Sequence, residues 1–284
     1  MRPTAKSLIL DLLSTVGDGS MAVRALVAAG ELFGIEDNAV RVALARMVAK
    51  GLVDAADDRA SYRLGANASS VAAHVTSWRR IDGRVRPWTG GWVCVPTTAL
   101  PTTDRSAQRR GQRALEFLGF RTLERGLGLR PDNLADGVAG VREQLYRLGL
   151  DPAVPVFGLH DLDEQRAERA RALWLADRSR EYTVIIKRLR ASLVRLPRLD
   201  SQEAMVESFL LGGEAIRVIV LDPLLPEELA PTAERKTLIE LMRDYDKAGR
   251  AAWAPFMKRF GAPHRRAPHD VHRSETAALA EASI

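Results

Sequence analysis

Within Gly34 to Val53, Asn38, Val42 and Arg46 are spaced to share the outward side of a helix with Arg41 on its flank, and their side chains match what the major groove of duplex DNA offers. Asn can pair bidentately with adenine and Arg with guanine, while Val and Ala methyls meet the thymine methyl. Val40, Ala43, Leu44, Met47 and Val48 take the other side and are expected to pack. A plain solvated face would favour Glu and Lys, whereas here small Ala45 and Ala49 accompany Asn and Arg, and small residues let a helix approach base edges closely. Lys50, Arg59 and Arg63 follow as further cations suited to a polyanion. A short amphipathic helix in an unrelated globular domain is the plain alternative, and the flanking elements weigh against it.

Those elements form a complete unit. Ser7 to Val16 carries Leu8, Ile9, Leu12, Leu13 and Val16 at helical spacing, and Val23 to Phe33 carries Leu26, Val27, Gly30 and Phe33. Gly34-Ile35 turns the chain into the reading helix. Gly51-Leu52-Val53 ends that helix and starts an extended segment, and a polar turn over Asp54 to Ala60 leads to Ser61-Tyr62-Arg63-Leu64. Helix, helix, reading helix and a two-stranded wing predict an N-terminal winged helix-turn-helix over residues 1–65.

The chain has 284 residues, 46% hydrophobic and 27% charged, enough to bury a substantial core in two or three compact units. Cys94 is the single cysteine, which excludes an intrachain disulfide and suits a reducing cytoplasm. Asp11 interrupts the apolar run after Arg2, and no small-residue cleavage site follows, so a signal peptide is not expected. No apolar stretch approaches the roughly 18 residues that a membrane span needs. The net charge of +6 is unevenly spread: residues 1–65 sum to zero, 66–135 to +6, 136–199 to +3 and 200–284 to −3. DNA binding by the N-terminal unit therefore rests on the placement of its cations rather than on their number.

Residues 66–89 read as a helical, basic connector containing Arg79, Arg80, Arg84 and Arg86 and ending in Pro87-Trp88. Its arginines admit two readings, phosphate contacts flanking the reading helix or a solvated linker face. Over residues 90–162 the expected order is a strand around Trp92 to Val95, a basic amphipathic helix from Arg105 to Leu118, extended chain from Phe120 to Leu129, a helix from Leu134 to Leu148 and a strand from Val154 to Leu159. That order is the ferredoxin-like split pattern. Gly126-Leu127-Gly128 lacks the Lys and Ser or Thr of a phosphate loop and reads as a hairpin or bulge.

Residues 163–261 read as a helical C-terminal domain: nearly continuous helix from Asp163 to Leu196, a second from Asp200 to Leu221 with a break expected at Gly212-Gly213, a turn followed by a short helical piece over Asp222 to Leu229, and a final helix from Glu234 to Phe260. Residues 262–284 read as a mobile tail. Its His264, His269 and His272 lack the Cys or carboxylate partners of a metal site, and no metal is expected. The fold class is thus α+β.

The order of parts resembles the PaaX-like family, the phenylacetate-catabolism repressors. The resemblance covers most of residues 4–260 and is carried by Gly34-Ile35 to Gly51-Leu52-Val53, Tyr62-Arg63-Leu64, Trp88-Thr89-Gly90-Gly91-Trp92, Leu118-Gly119-Phe120, Leu129-Arg130-Pro131-Asp132-Asn133-Leu134 and Asp222-Pro223-Leu224-Leu225-Pro226-Glu227-Glu228-Leu229. It implies a winged helix, a central Cas2-like domain that dimerises, a helical C-terminal region, and a homodimeric repressor of a catabolic operon that an aryl-CoA or acyl-CoA thioester releases from operator DNA. A Cas2-like domain also raises the alternative of a metal-dependent nuclease, whose carboxylate would stand at a strand end. Val95-Pro96-Thr97-Thr98 offers none there, and no catalytic constellation is legible elsewhere, so no enzyme and no cofactor are expected. Trp88 admits two readings. It either packs with Trp92 between connector and sheet, or lines an effector pocket with Arg84 and Arg86, where an acyl group stacks and CoA phosphates meet guanidinium groups.

Overall fold

The computed structural model describes residues 2–16, 20–56, 60–68, 77–174 and 179–262. The fold is mixed α+β with two small antiparallel sheets. The chain divides into two compact units, one of Met1–Arg79, Val184–Val220 and Leu238–Ile284, the other of Arg80–Thr183 and Leu221–Thr237. This division cuts across the expected 163–261 domain and shares its helices between both units. The expected tail lies outside the described residues beyond Ala262.

The first unit opens with α1 (Ala5–Thr15), β1 (Ser20–Ala22), α2 (Val23–Leu32), α3 (Asp37–Ala49), β2 (Val53–Ala55) and β3 (Ser61–Leu64). Thr4 starts α1 with a capping box: its Oγ1 accepts from Ser7 N at 3.2 Å and its own N–H donates to Ser7 Oγ at 3.0 Å. Leu8, Ile9, Leu12 and Leu13 form the buried stripe of α1 and pack with Ala25, Leu26 and Ala29 of α2 and Val40, Leu44 and Met47 of α3 in one core. The sheet has one more strand than the sequence predicts. Short β1 pairs with β3 on the side opposite β2, with Ser20, Met21 and Ala22 in register with Arg63, Tyr62 and Ser61.

The same core takes in Met205, Trp253, Met257 and Ala262 from the C-terminal helices, which is long-range packing that helical periodicity cannot announce. The Phe33 and Phe209 ring centroids lie 5.0 Å apart, and Phe209 lies 6.1 Å from Trp253. The predicted continuous helix from 163 to 196 is instead two, α6 (Glu164–Ala172) and α7 (Ser179–Arg195). Next comes α8 (Ser201–Val220), which runs without a break through Gly212-Gly213. Glycine weakens a helix interior, but here α8 is held by its neighbour: a Cβ at Gly212 would lie 3.7 Å from Met242 Cε and from Tyr245 Cε1, so the bare backbone faces packed side chains of α9 (Ala233–Arg259). Ser192 Oγ and Tyr245 Oη are 2.8 Å apart, and Trp253 Nε1 donates to Met205 O at 3.0 Å.

The second unit contains β4 (Trp92–Pro96), α4 (Arg105–Phe117), β5 (Arg121–Glu124), β6 (Leu127–Pro131), α5 (Gly137–Arg147) and β7 (Phe157–Leu159). The strands lie in the order β5-β6-β4-β7, every neighbouring pair antiparallel. Buried Trp92, Cys94, Leu123 and Leu129 pack with Ala170 and Trp174 of the α6 region and with Leu225 and Leu229. Asp222 to Leu229, expected as a turn followed by a short helical piece, contains no helix and makes a turn at Glu227 to Leu229, between Pro226 and Pro231. Leu229 and Ala230 each donate to Pro226 O, at 3.0 and 3.1 Å, which closes the chain before a helical run can develop.

Candidate nucleic-acid interface

α3 has two chemically distinct sides. Val40, Leu44 and Met47 are buried and Ala43 is half-buried, while Asn38, Arg41, Val42, Ala45, Arg46, Ala49 and Lys50 are exposed. Val42, a large apolar residue, is left 40% exposed among polar neighbours. Val48 departs from the expected packing side and is 41% exposed. It stands at the edge of the stripe set by Val40, Leu44 and Met47, one residue or about 100° beyond Met47.

The ends of α3 keep this surface in place. Gly51 adopts φ +62°, the left-handed conformation that ends a helix, and lets Leu52 N donate back to Met47 O at 2.9 Å. Asn67 Nδ2 donates to Lys50 O at 2.9 Å and satisfies a carbonyl at the helix end. β2 starts at once with buried Val53, and β3 returns with Arg63 exposed and in register with Asp54. Arg59 lies outside the described residues.

The exposed cations are not equivalent. Arg41 is held by Asp37 one turn earlier, a carboxylate that helical spacing makes visible in the sequence but that the reading of the outward face left out. Arg46, Lys50 and Arg63 have no ion-pair partner among the described residues. Asn38, Arg41, Val42 and Arg46 are brought onto one exposed surface by α3, and Arg63 stands on the adjoining sheet.

The connector cations take other roles. Arg79 is nearly buried and ion-paired with Asp246 at 2.8 Å, and Asp246 also receives Arg250 Nε at 3.0 Å. Residues 69–76 of the expected helix lie outside the described residues, and Ser77–Arg84 is a 3-10 segment with non-helical geometry at Arg80.

In the second unit, Arg84 is half-buried, and burial lowers its pKa while the neighbouring Asp136 works the other way. Arg86 is exposed and pairs with Asp132 at 2.8 Å. Trp88 packs edge-on against Trp92 with centroids 5.0 Å apart, and its Nε1 donates to Gly91 O at 2.6 Å. Trp92 in turn stacks on Trp174 at 5.7 Å and 12°. Trp88 therefore has the packing role. Trp88 is also only half-buried.

Three segments that carry the family resemblance meet at Arg130. Its guanidinium is buried and donates to Leu118 O at 2.6 Å and to Pro223 O and Asn133 Oδ1, each at 3.2 Å. Burial, with nearby Arg84, pushes its pKa down to about 10. Asn133 Nδ2 donates to Leu224 O at 2.6 Å, and Asp222 Oδ1 accepts from Leu224 N at 2.6 Å while its other oxygen accepts from Tyr182 Oη. Arg130, Asn133, Asp222 and Tyr182 are satisfied by one another and by backbone groups, which ties these segments together, while Asp132 Oδ1 is buried without a hydrogen-bond partner among the described residues. Among the described residues no group of three His, Cys, Asp or Glu is placed to hold a metal ion, and no helix is long and apolar enough to cross a membrane.

Residues 4–68 match the family model described as PaaX-like protein, which covers α1 to β3 and the whole exposed surface of α3. The PaaX-like resemblance is thereby shown for this segment. Among solved structures, the uncharacterized protein Rv0674 from Mycobacterium tuberculosis is similar in fold, with a TM-score of 0.57 at 24% sequence identity over 88% of this chain and 98% of that one. No curated protein matches the chain.

Proposed function

We propose that the chain is a transcriptional regulator that binds operator DNA through α3 as the recognition helix of a winged helix-turn-helix. The observation that carries this reading is the two-sidedness of α3. Val40, Leu44 and Met47 anchor it, while Asn38, Arg41, Val42 and Arg46 stand exposed on small-residue surroundings within the PaaX-like segment. A helix laid in the major groove can place Arg46 against guanine and Asn38 against adenine, with Val42 against a thymine methyl. Lys50, Arg63 and Arg59, which falls between β2 and β3 in the sequence, then supply phosphate contacts that set register.

The strand order β5-β6-β4-β7 supports a ferredoxin-like reading of the second unit, similar to Cas2, with a scaffolding and dimerising role. A homodimer on a pseudo-palindromic site doubles a small reading surface, with half-sites about one helical turn or a multiple of it apart. Repression of a catabolic operon, relieved by an aryl-CoA or acyl-CoA thioester, completes the proposal. In this reading the effector binds in the second unit near Arg84, Arg86 and Trp88, where its phosphates compete with Asp132 for Arg86 and its acyl group packs against half-buried Trp88.

Footprinting of the DNA upstream of its own gene, with the full chain and with Arg46→Ala, tests the reading. Protection of paired half-sites that Arg46→Ala weakens supports it. Metal-dependent cleavage of the duplex, or protection that does not depend on sequence, overturns it.

A further inference from the structure

We propose that the outer face of α4 is a second DNA contact, a surface that takes the phosphate backbone of a duplex without reading its sequence. Residues 66–135 hold 11 Lys or Arg and 5 Asp or Glu, an excess of +6 that equals the net charge of the whole chain. Much of that excess is already engaged. Arg79 pairs with Asp246, Arg86 pairs with Asp132, and Arg130 is buried among carbonyls. Arg105, Arg109 and Arg113, like Arg80, Arg121 and Arg125, are exposed and engaged by no ion pair among the described residues, and these three are gathered on one helix, α4.

The helix is held rigidly beneath them. Its inner side buries Gly111, Ala114 and Leu115, and Asp104 caps its start by accepting from Ser106 N at 2.8 Å and Ala107 N at 3.1 Å. The capping keeps Asp104 ionised at the start of the helix beside Arg110, while no ion pair forms to Arg105, Arg109 or Arg113 among the described residues. Arg110 joins the same face, donating to Ser106 Oγ at 2.7 Å. Arg105, Ser106, Arg109, Arg110 and Arg113 together line an open cavity of about 480 Å³.

The arrangement selects the partner. Residues at i, i+4 and i+8 rise by about 6 Å per step along a helix, so the three arginines form a row of about 12 Å rather than a clasp around one anion. A row meets successive phosphates of a strand. No aromatic or apolar side chain lines the cavity, so nothing there stacks an exposed base or seats an acyl chain. A single-stranded nucleic acid and a CoA-like ligand both gain from such a surface, whereas a duplex can be held by its phosphates alone. The proposal rests on the DNA-binding reading for its choice of partner and is independent of which bases α3 reads.

The test is fluorescence anisotropy of the full chain over a salt series, on its own upstream duplex and on a scrambled duplex. Arg105→Ala/Arg109→Ala/Arg113→Ala is compared with wild type, with Arg46→Ala and with the single Arg109→Glu, and helical content is checked by circular dichroism. Three lost phosphate contacts lower the slope of log K against log salt by about 2 to 3 and cut affinity by at least about tenfold near physiological salt. The loss is expected on both duplexes alike, leaving their ratio unchanged, with Arg109→Glu intermediate. Wild-type affinity and slope in both α4 variants overturn the proposal, as does a loss confined to one duplex. Binding of pyrophosphate or an acidic peptide that needs these arginines, with duplex affinity unchanged, overturns it in favour of that ligand. Failure of the α3 reading is distinct, since wild type would then bind both duplexes equally.

Discussion

Asp37 grips Arg41 across one turn of α3, with Arg41 Nε 2.5 Å from Oδ1 and Nη2 3.3 Å from Oδ2. Both side chains are more than half exposed, so the pair contributes little to stability. Its effect is on the reading surface. The carboxylate orients the guanidinium along the helix and opposes any phosphate that approaches it. Asp37→Asn is expected to raise affinity for all duplexes by a few-fold and to reduce preference for the operator. Titrations on operator and scrambled DNA check this, and a gain confined to operator DNA would contradict it.

Arg46 has no such restraint among the described residues. Arg46→Ala is expected to cost about 1 to 3 kcal/mol of operator binding and to relax the base preference at one position of each half-site. Measured against a library of operator variants, equal loss on every sequence would instead mark a phosphate contact. Unchanged affinity in both Arg41→Ala and Arg46→Ala would reject α3 as the reader.

The effector is expected to obey thermodynamic reciprocity. A thioester that weakens operator binding tenfold, about 1.4 kcal/mol, must itself bind tenfold more weakly when operator is present. Calorimetry with a panel of aryl-CoA and acyl-CoA thioesters, with and without operator, reads this directly. Asp132→Asn frees Arg86 and is expected to tighten effector binding several-fold. A ligand affinity that is identical in both conditions would end the model.

Cys94 lies in the middle of β4 and is buried, and that burial pushes its thiol from 9.0 up to about 12. The native thiol is therefore expected to resist alkylation at neutral pH and to react once denaturant opens the sheet. A raised pKa favours the folded state fully below pH 9, and this contribution fades as pH rises toward 12. Cys94→Ala should remove that part of the alkaline decline, which is seen by comparing denaturant midpoints of the two proteins at several pH values. An identical decline in both would refute it.

The N-terminal elements were legible because each buries one stripe against its neighbours. Leu8 to Leu13 in α1 and Val40, Leu44 and Met47 in α3 announce themselves at helical spacing. Three-residue β1 was not, since a segment so short has no measurable alternation and exists only because β3 offers it an edge. Gly212-Gly213 misled for a related reason. Glycine signals a break locally, while the packing of α8 on Met242 and Tyr245 is settled at long range. At the candidate interface the exposed residues were legible from the helix face alone, but the restraint on Arg41 and the engagement of Arg79 by Asp246 required knowing what stands beside each cation.

Phe33, at the end of α2, reaches Phe209, and the core beneath α1, α2 and α3 also includes Trp253 and Met257. On the ribosome, α1, α2 and α3 emerge well before α8 and α9, with the apolar side around Phe33 still uncovered. α9 must clear the exit tunnel before that side can close. A head made early is thus finished late, and a nascent chain stalled before α9 would present a sticky, incomplete head to whatever chaperone is at hand.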